Sequence, residues 1–189
     1  MSSRISQTQL KVGDLLVAEP FLNDPNFKRS VILLCHHDKE GSLGFVLNHK
    51  MKVKFSELIN NFPKFDADVF VGGPVQTDTL HFIHNVGDLL EGSIRISSGV
   101  YFGGDLDNLR FLIEAKLIEP KHIRFYLGYT GWEEMQLQQE FKEGTWIPAN
   151  MHANYIFKSD PQALWQNVLE QKNGNFAVIS RMTDCEYEN

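Results

Sequence analysis

The run Val31-Ile32-Leu33-Leu34-Cys35 is apolar at every position, and no other feature restricts the fold as much. A strand with one face in water alternates polar and apolar residues, whereas a strand covered on both faces does not. The run is far shorter than the roughly 20 residues a helix needs to cross a bilayer, so it predicts a buried central strand and no membrane span. Further β-type runs lie around it: Leu15 to Phe21, the remainder of Val31 to His37, Leu43 to Asn48, Asp68 to Gly72, Leu80 to Asn85 and Ser93 to Ser97. Gly, Pro and Asp/Asn turns separate them. The first half of the chain is therefore strand territory.

Helical spacing enters between and after these runs. Phe55, Leu58, Ile59 and Phe62 recur as a short helix that Pro63 stops. Asp105 caps a second helix with the stripe Leu106, Leu109, Leu112, Ile113 and Leu117, ending before Pro120. His122 to Tyr129 reads as another strand, and Thr130-Gly-Trp-Glu133 as a capping box opening a third helix toward Gly144. Asp160-Pro161 starts a fourth, with Leu164, Trp165, Val168 and Leu169 as its stripe, and Phe176 to Ser180 is expected to close the sheet. Strands and helices do not alternate regularly, and there is no repeat or linker. The expectation is one α+β domain over residues 1–189, with a mixed sheet and about four helices.

Fourteen Phe, five Tyr and three Trp supply a large core without a metal or disulfide staple. A formal charge of −6 disfavours long-range attraction to nucleic acid or anionic lipid. Cys35 and Cys185 form neither a CxxC pair nor a zinc pattern, and residues 1–13 lack the apolar stretch of a secretory signal, so a cytoplasmic setting is expected.

The most informative segment for function is Gly128-Tyr129-Thr130-Gly131-Trp132 and the helix after it. At about 100° per residue, Leu137 and Phe141 form one apolar arc, Trp132 and Met135 another, and Gln136 and Glu140 fall between them. Such polar groups need partners, supplied by a ligand or by nearby backbone. Gly72-Gly73-Pro74-Val75 allows a tight turn or the close approach of another chain or ligand.

Other constellations carry less. Gly103-Gly104 lacks the Lys and Ser/Thr of a P-loop, and Asp105 and Asp107 would repel an anion. His36-His37 and His81-x-x-His84 point to opposite faces of a strand and cannot chelate one ion, so no metal is expected. An apolar setting keeps the Cys35 thiol protonated, and acidic neighbours do the same for Cys185. Gly41-Ser42-Leu43-Gly44 is not a hydrolase elbow. Lys50, Lys52 and Lys54 place three cations on one side of an extended segment, as edge protection or as a candidate anion contact.

Taken together and in order, several motifs resemble the YqgE/AlgH family of bacterial proteins over nearly the whole chain. They are Gly13-Asp14-Leu15-Leu16 with Asp24, Phe27 and Ser30-Val31; Gly44 to Asn48; Gly72 to Val75; Gly128 to Trp132 with Gln136-Leu137 and Glu140; and Trp146 and Trp165. The chain departs from the family pattern at Lys50, Met135 and Gln138. The resemblance implies an α+β fold with strongly coiled, branching sheets and no defined biochemical activity. It also carries the label of transcriptional regulator, which no helix-turn-helix here supports.

The expected function is a non-enzymatic binding or regulatory module for a small molecule or a protein, with no cofactor. Its candidate ligand site comprises Asn48, Gly72, Gly73, Pro74, Tyr129, Gly131, Trp132, Gln136 and Glu140. Two alternatives are a nucleic-acid regulator using Lys50, Lys52 and Lys54 with Arg124 or Lys121, and an enzyme using Glu140 as acid or base.

Overall fold

The computed structural model describes residues 10–172 and residue 178. Ten strands among them join one sheet: β1 Asp14–Ala18, β2 Val31–His37, β3 Gly41–Val46, β4 Lys50–Lys54, β5 Asp68–Val71, β6 Val75–His84, β7 Ile94–Ser97, β8 Val100–Phe102, β9 Ile123–Glu133 and β10 Trp146–Asn150. Their order is β10-β1-β2-β3-β9-β6-β8-β7, with β5 and then β4 branching from β9. All pairings are antiparallel except β5 with β9. The helices are α1 Phe55–Leu58, α2 Leu106–Glu114, α3 Gln136–Glu143, α4 Asn154–Phe157 and α5 Pro161–Glu170. The fold is α+β, with a curled, branching sheet and helices packed against it.

β2 has the predicted double cover. Val31, Leu33 and Cys35 enter a core with Phe45, Tyr126 and the α5 residues Leu164, Trp165 and Leu169, while Ile32 and Leu34 enter a second core with Trp132, Leu137 and Trp146. A third core packs α1 and α2 on the other branch, where Phe55 stacks on Phe125 with ring centroids 4.0 Å apart. The curl is tight enough to bring Gly13, before β1, against β7 at the far end of the sheet: a Cβ on Gly13 would lie 2.9 Å from the Ile96 carbonyl oxygen.

The sheet branches along β9. Its first half, at Phe125 to Leu127, is flanked by β5 and β6; its last part, Thr130 to Glu133, pairs with β3 instead. The exchange happens at Gly72-Gly73. The Gly72 N–H donates to Leu127 on β9, and its carbonyl accepts from Val46 on β3. Gly128, opposite the fork, has φ 68° and lies close to the Gly73 and Val75 carbonyls.

Aspartate caps form as expected: Asp105 Oδ1 accepts from the Asn108 N–H at 2.7 Å, and Asp160 Oδ1 from the Gln162 N–H at 3.1 Å. Three boundaries differ. The first helix ends at Leu58, and Phe62 instead folds back edge-on to Phe55. The second ends at Glu114, leaving Leu117 exposed. The Thr130 capping box does not form, because β3 pairing draws residues 130–133 into the sheet, where the Thr130 hydroxyl donates to the Gly72 carbonyl. α3 starts at Gln136, after Met135 in a left-handed conformation. Of the expected strand Phe176 to Ser180, only Val178 is described, and it is helical and exposed; the rest, like Cys185, lies outside the described residues.

Candidate functional site

Trp132 and Trp146 donate their indole N–H groups to the same carboxylate oxygen, Glu140 Oε2, at 2.9 and 2.7 Å. Gln136 Nε2 donates to Oε1 at 2.9 Å, while its own Oε1 accepts from the Glu133 N–H at 3.0 Å. Glu140 is therefore a bracket tying α3 to β9 and β10, with both oxygens engaged. Two indole N–H groups in a core need such an acceptor, and a carboxylate is a strong one. The polar pair read from helical spacing is thus answered from within the chain.

The remaining predicted residues divide by location. On β9, Tyr129, Gly131 and Glu133 are the outward-facing positions, and the Trp132 side chain is buried in the core with Leu137 and Trp146. Tyr129 also packs edge-on to His81. Gly72 and Gly73 are buried at the fork: a Cβ on Gly73 would lie 2.3 Å from the Tyr129 carbonyl, so the close approach is made by β9 itself. Pro74 is exposed beyond them. Asn48 lies apart, fixing the chain before β2: its Oδ1 accepts from the Val31 N–H and its Nδ2 donates to the Arg29 carbonyl, each at 2.9 Å.

A recess of about 610 Å³ opens where the outward face of β9 meets the β2–β3 hairpin. Leu43, Val75, Tyr129 and Gly131 line it with Trp132 and Gln136 beside them, and Asp38, Glu40 and Glu133 bring three exposed carboxylates to it. Backbone N–H groups of Glu40 and Gly41 and the neighbouring His36 hold the Asp38 carboxyl below its usual range. In the sequence the hairpin offers only a metal pattern at His36-His37 and a hydrolase pattern at Gly41 to Gly44, both set aside above, and residues 38–41 read as a turn.

The lysines occupy β4, which among the described residues pairs with β5 alone. Lys50 and Lys54 converge on Asp68 at 2.9 and 2.5 Å, and Arg124 joins them at 2.8 Å; Lys52 is exposed. Burial of Asp68 opposes ionisation, but the two lysines outweigh it and the carboxyl lies below its usual range. Lys121 pairs instead with Glu119. Among the described residues no group of histidine, cysteine or acidic side chains could hold a metal ion, and no helix is long and apolar enough to cross a membrane. Burial pushes the Cys35 thiol pKa upward, away from thiolate chemistry.

The curled, forked sheet is the fold of a class of bacterial α+β proteins. Two solved structures share the fold: a Corynebacterium diphtheriae protein with a TM-score of 0.73 and 20% identity, covering 91% of this chain and 92% of that one, and the AlgH protein of Pseudomonas aeruginosa, with a TM-score of 0.71, 26% identity and coverage of 89% and 92%. The chain is 43% identical to a UPF0301 protein of Chlorobium limicola over 91% of its own length and 92% of that relative. Residues 15–177 match the family described as AlgH-like (DUF179), and the chain belongs to that family.

Proposed function

We propose that the protein is a non-enzymatic binding module whose contact face is the recess between β9 and the β2–β3 hairpin. Its occupant is a partner segment that presents Lys or Arg next to an apolar side chain. One observation carries the reading: exposed carboxylates of Asp38, Glu40 and Glu133 border a surface formed by Leu43, Val75 and Tyr129, with no side chain at Gly131 to fill it. Carboxylates beside an apolar floor complement a cationic, amphipathic segment, and the net charge of −6 favours its approach. The Gly72–Gly73 fork and the Glu140 bracket act as the frame that holds this face rather than as contacts to the ligand. Glu140, engaged through both oxygens, is not poised to move a proton.

Gly131→Trp tests the reading. The residue is exposed without positive φ, and a Cβ there would lie 3.3 Å from the Tyr129 ring and 3.9 Å from Val75 Cγ2, so a side chain enters the recess if the Tyr129 ring gives by a few tenths of an ångström; the melting temperature of the variant checks that the fold is kept. Calorimetric titration with a synthetic peptide of alternating Lys and Leu is expected to show binding to the wild type, weakening with salt, and a loss of at least about tenfold in the variant. Equal binding by both proteins contradicts the proposal.

A further inference from the structure

The direction of the backbone on β3 determines which groups of β9 are paired beside the hairpin. The Gly41 carbonyl accepts from the Asp38 N–H and the Leu47 N–H donates to the Val31 carbonyl, both toward β2, whereas the Val46 N–H donates to Gly72 on the opposite side. Alternate residues of a strand present their N–H and C=O to opposite edges. Odd-numbered residues of β3 therefore face β2 and even-numbered ones face β9. Ser42 and Gly44 bond to their partners Trp132 and Thr130, and Leu43 does not bond to its partner Gly131. Glu133, two residues on, agrees: its N–H donates to Gln136 Oε1 and not to β3.

Gly131 thus turns its N–H and C=O to the other edge of β9. On that edge β6 accompanies β9 only as far as the Val75 and Tyr129 pair, and among the described residues no strand lies opposite Gly131 there. The residue is exposed and borders the recess. Other edges of the sheet are guarded: β4 carries Lys50, Lys52 and Lys54, β10 carries Pro148, and Gly13 lies against the Ile96 carbonyl of β7. The end of β9 has no lysine and no proline, and Gln136 caps only its last N–H.

We infer, resting on the function proposed above, that the cationic segment binds as an added β-strand along this edge, its backbone donating to the Gly131 carbonyl and accepting from the Gly131 N–H. Side chains of a strand alternate, so every second residue of the segment faces the recess. A lysine there lays its aliphatic stem over Tyr129 and Val75 and carries its ammonium toward the carboxylates of Asp38, Glu40 and Glu133. The partner is thereby narrowed from any basic, amphipathic surface to an extended chain.

Amide hydrogen exchange followed by NMR tests the geometry. In the free protein the Gly131 amide is expected to be protected at least about tenfold less than those of Thr130 and Trp132, and saturating Lys-Leu peptide is expected to raise its protection at least about tenfold. Two further peptides carry N-methyl groups on every lysine or on every leucine. Because alternate N–H groups point to opposite edges, one of them is expected to bind at least about tenfold more weakly than the parent and the other within about threefold of it. Which of the two is weakened reports the direction of the added strand. A Gly131 amide as protected as that of Trp132 in the free protein, or equal binding by the two methylated peptides, overturns the inference. If all three peptides bind alike, the function proposed above stands without it; if the unmethylated peptide does not bind, both fall.

Discussion

Gly73 lies against Tyr129 so closely that a Cβ on the glycine would sit 2.3 Å from the tyrosine carbonyl carbon and oxygen. The contact is backbone on backbone, so no side-chain rotation relieves it. Gly73→Ala is expected to lose about 3 kcal/mol or more, because β5 must separate from β9 where the sheet forks. Urea unfolding measures this, and a change within about 0.5 kcal/mol would mean that the fork tolerates a side chain.

Replacing Glu140 by Ala leaves two indole N–H groups without their acceptor. Each unsatisfied buried donor costs about 1–3 kcal/mol, so the combined loss is expected at about 2–6 kcal/mol. Glu140→Gln retains one acceptor oxygen and is expected to lose less. Chemical denaturation ranks the two variants; equal stability of Glu140→Ala and wild type contradicts the bracket.

Asp68 is shared by Lys50, Lys54 and Arg124. Its folded pKa is depressed, so its contribution is fully present above the unfolded value of about 3.9 and is lost as pH falls through the folded value. Asp68→Asn is therefore expected to reduce stability near pH 7 and to flatten the acid limb below about pH 4. Denaturation at a series of pH values checks both effects, and an unchanged acid limb counts against the shared ion pair.

His81 and His84 have pKa values lowered by burial, partly offset for His84 by its bond to the Gly103 carbonyl. Because the unfolded chain binds protons more readily, both weaken the fold as pH drops below about 6.5. Among the described residues, His81 Nε2 is buried without a hydrogen-bond partner, beside aromatic rings. His81→Phe is expected to cost little and to reduce the loss of stability between about pH 6.5 and 5. A pH slope identical to wild type would contradict this.

Local rules revealed the parts of the fold that depend on local chemistry. Unbroken apolarity identified β2, and Asp105 and Asp160 marked helix starts, since a cap and its acceptors lie within one turn. Two helix ends came earlier than their apolar spacing implied, at Leu58 and Glu114, and one miss depended on long-range pairing: Thr130 to Glu133 carries a capping signal, but β3 recruits it across some 90 residues of chain. The candidate site was legible in the same uneven way. Spacing showed that Gln136 and Glu140 needed partners, but the answering indole of Trp146 comes from another strand. The glycine pair showed that something approaches closely, and only the fold reveals that it is β9. Asn48 looked like part of one site and serves another end of the same strand pair.

On the function we propose, the outward face of β9 beside the β2–β3 hairpin receives a cationic, amphipathic segment. An amide NMR map made during titration with the alternating Lys-Leu peptide tests it most directly, with an alternating Glu-Leu peptide as control. Saturable shifts confined to Asp38 to Leu43, Val75 and Tyr129 to Glu133 are expected from the lysine peptide only. Shifts centred elsewhere, or equal responses to both peptides, would contradict it.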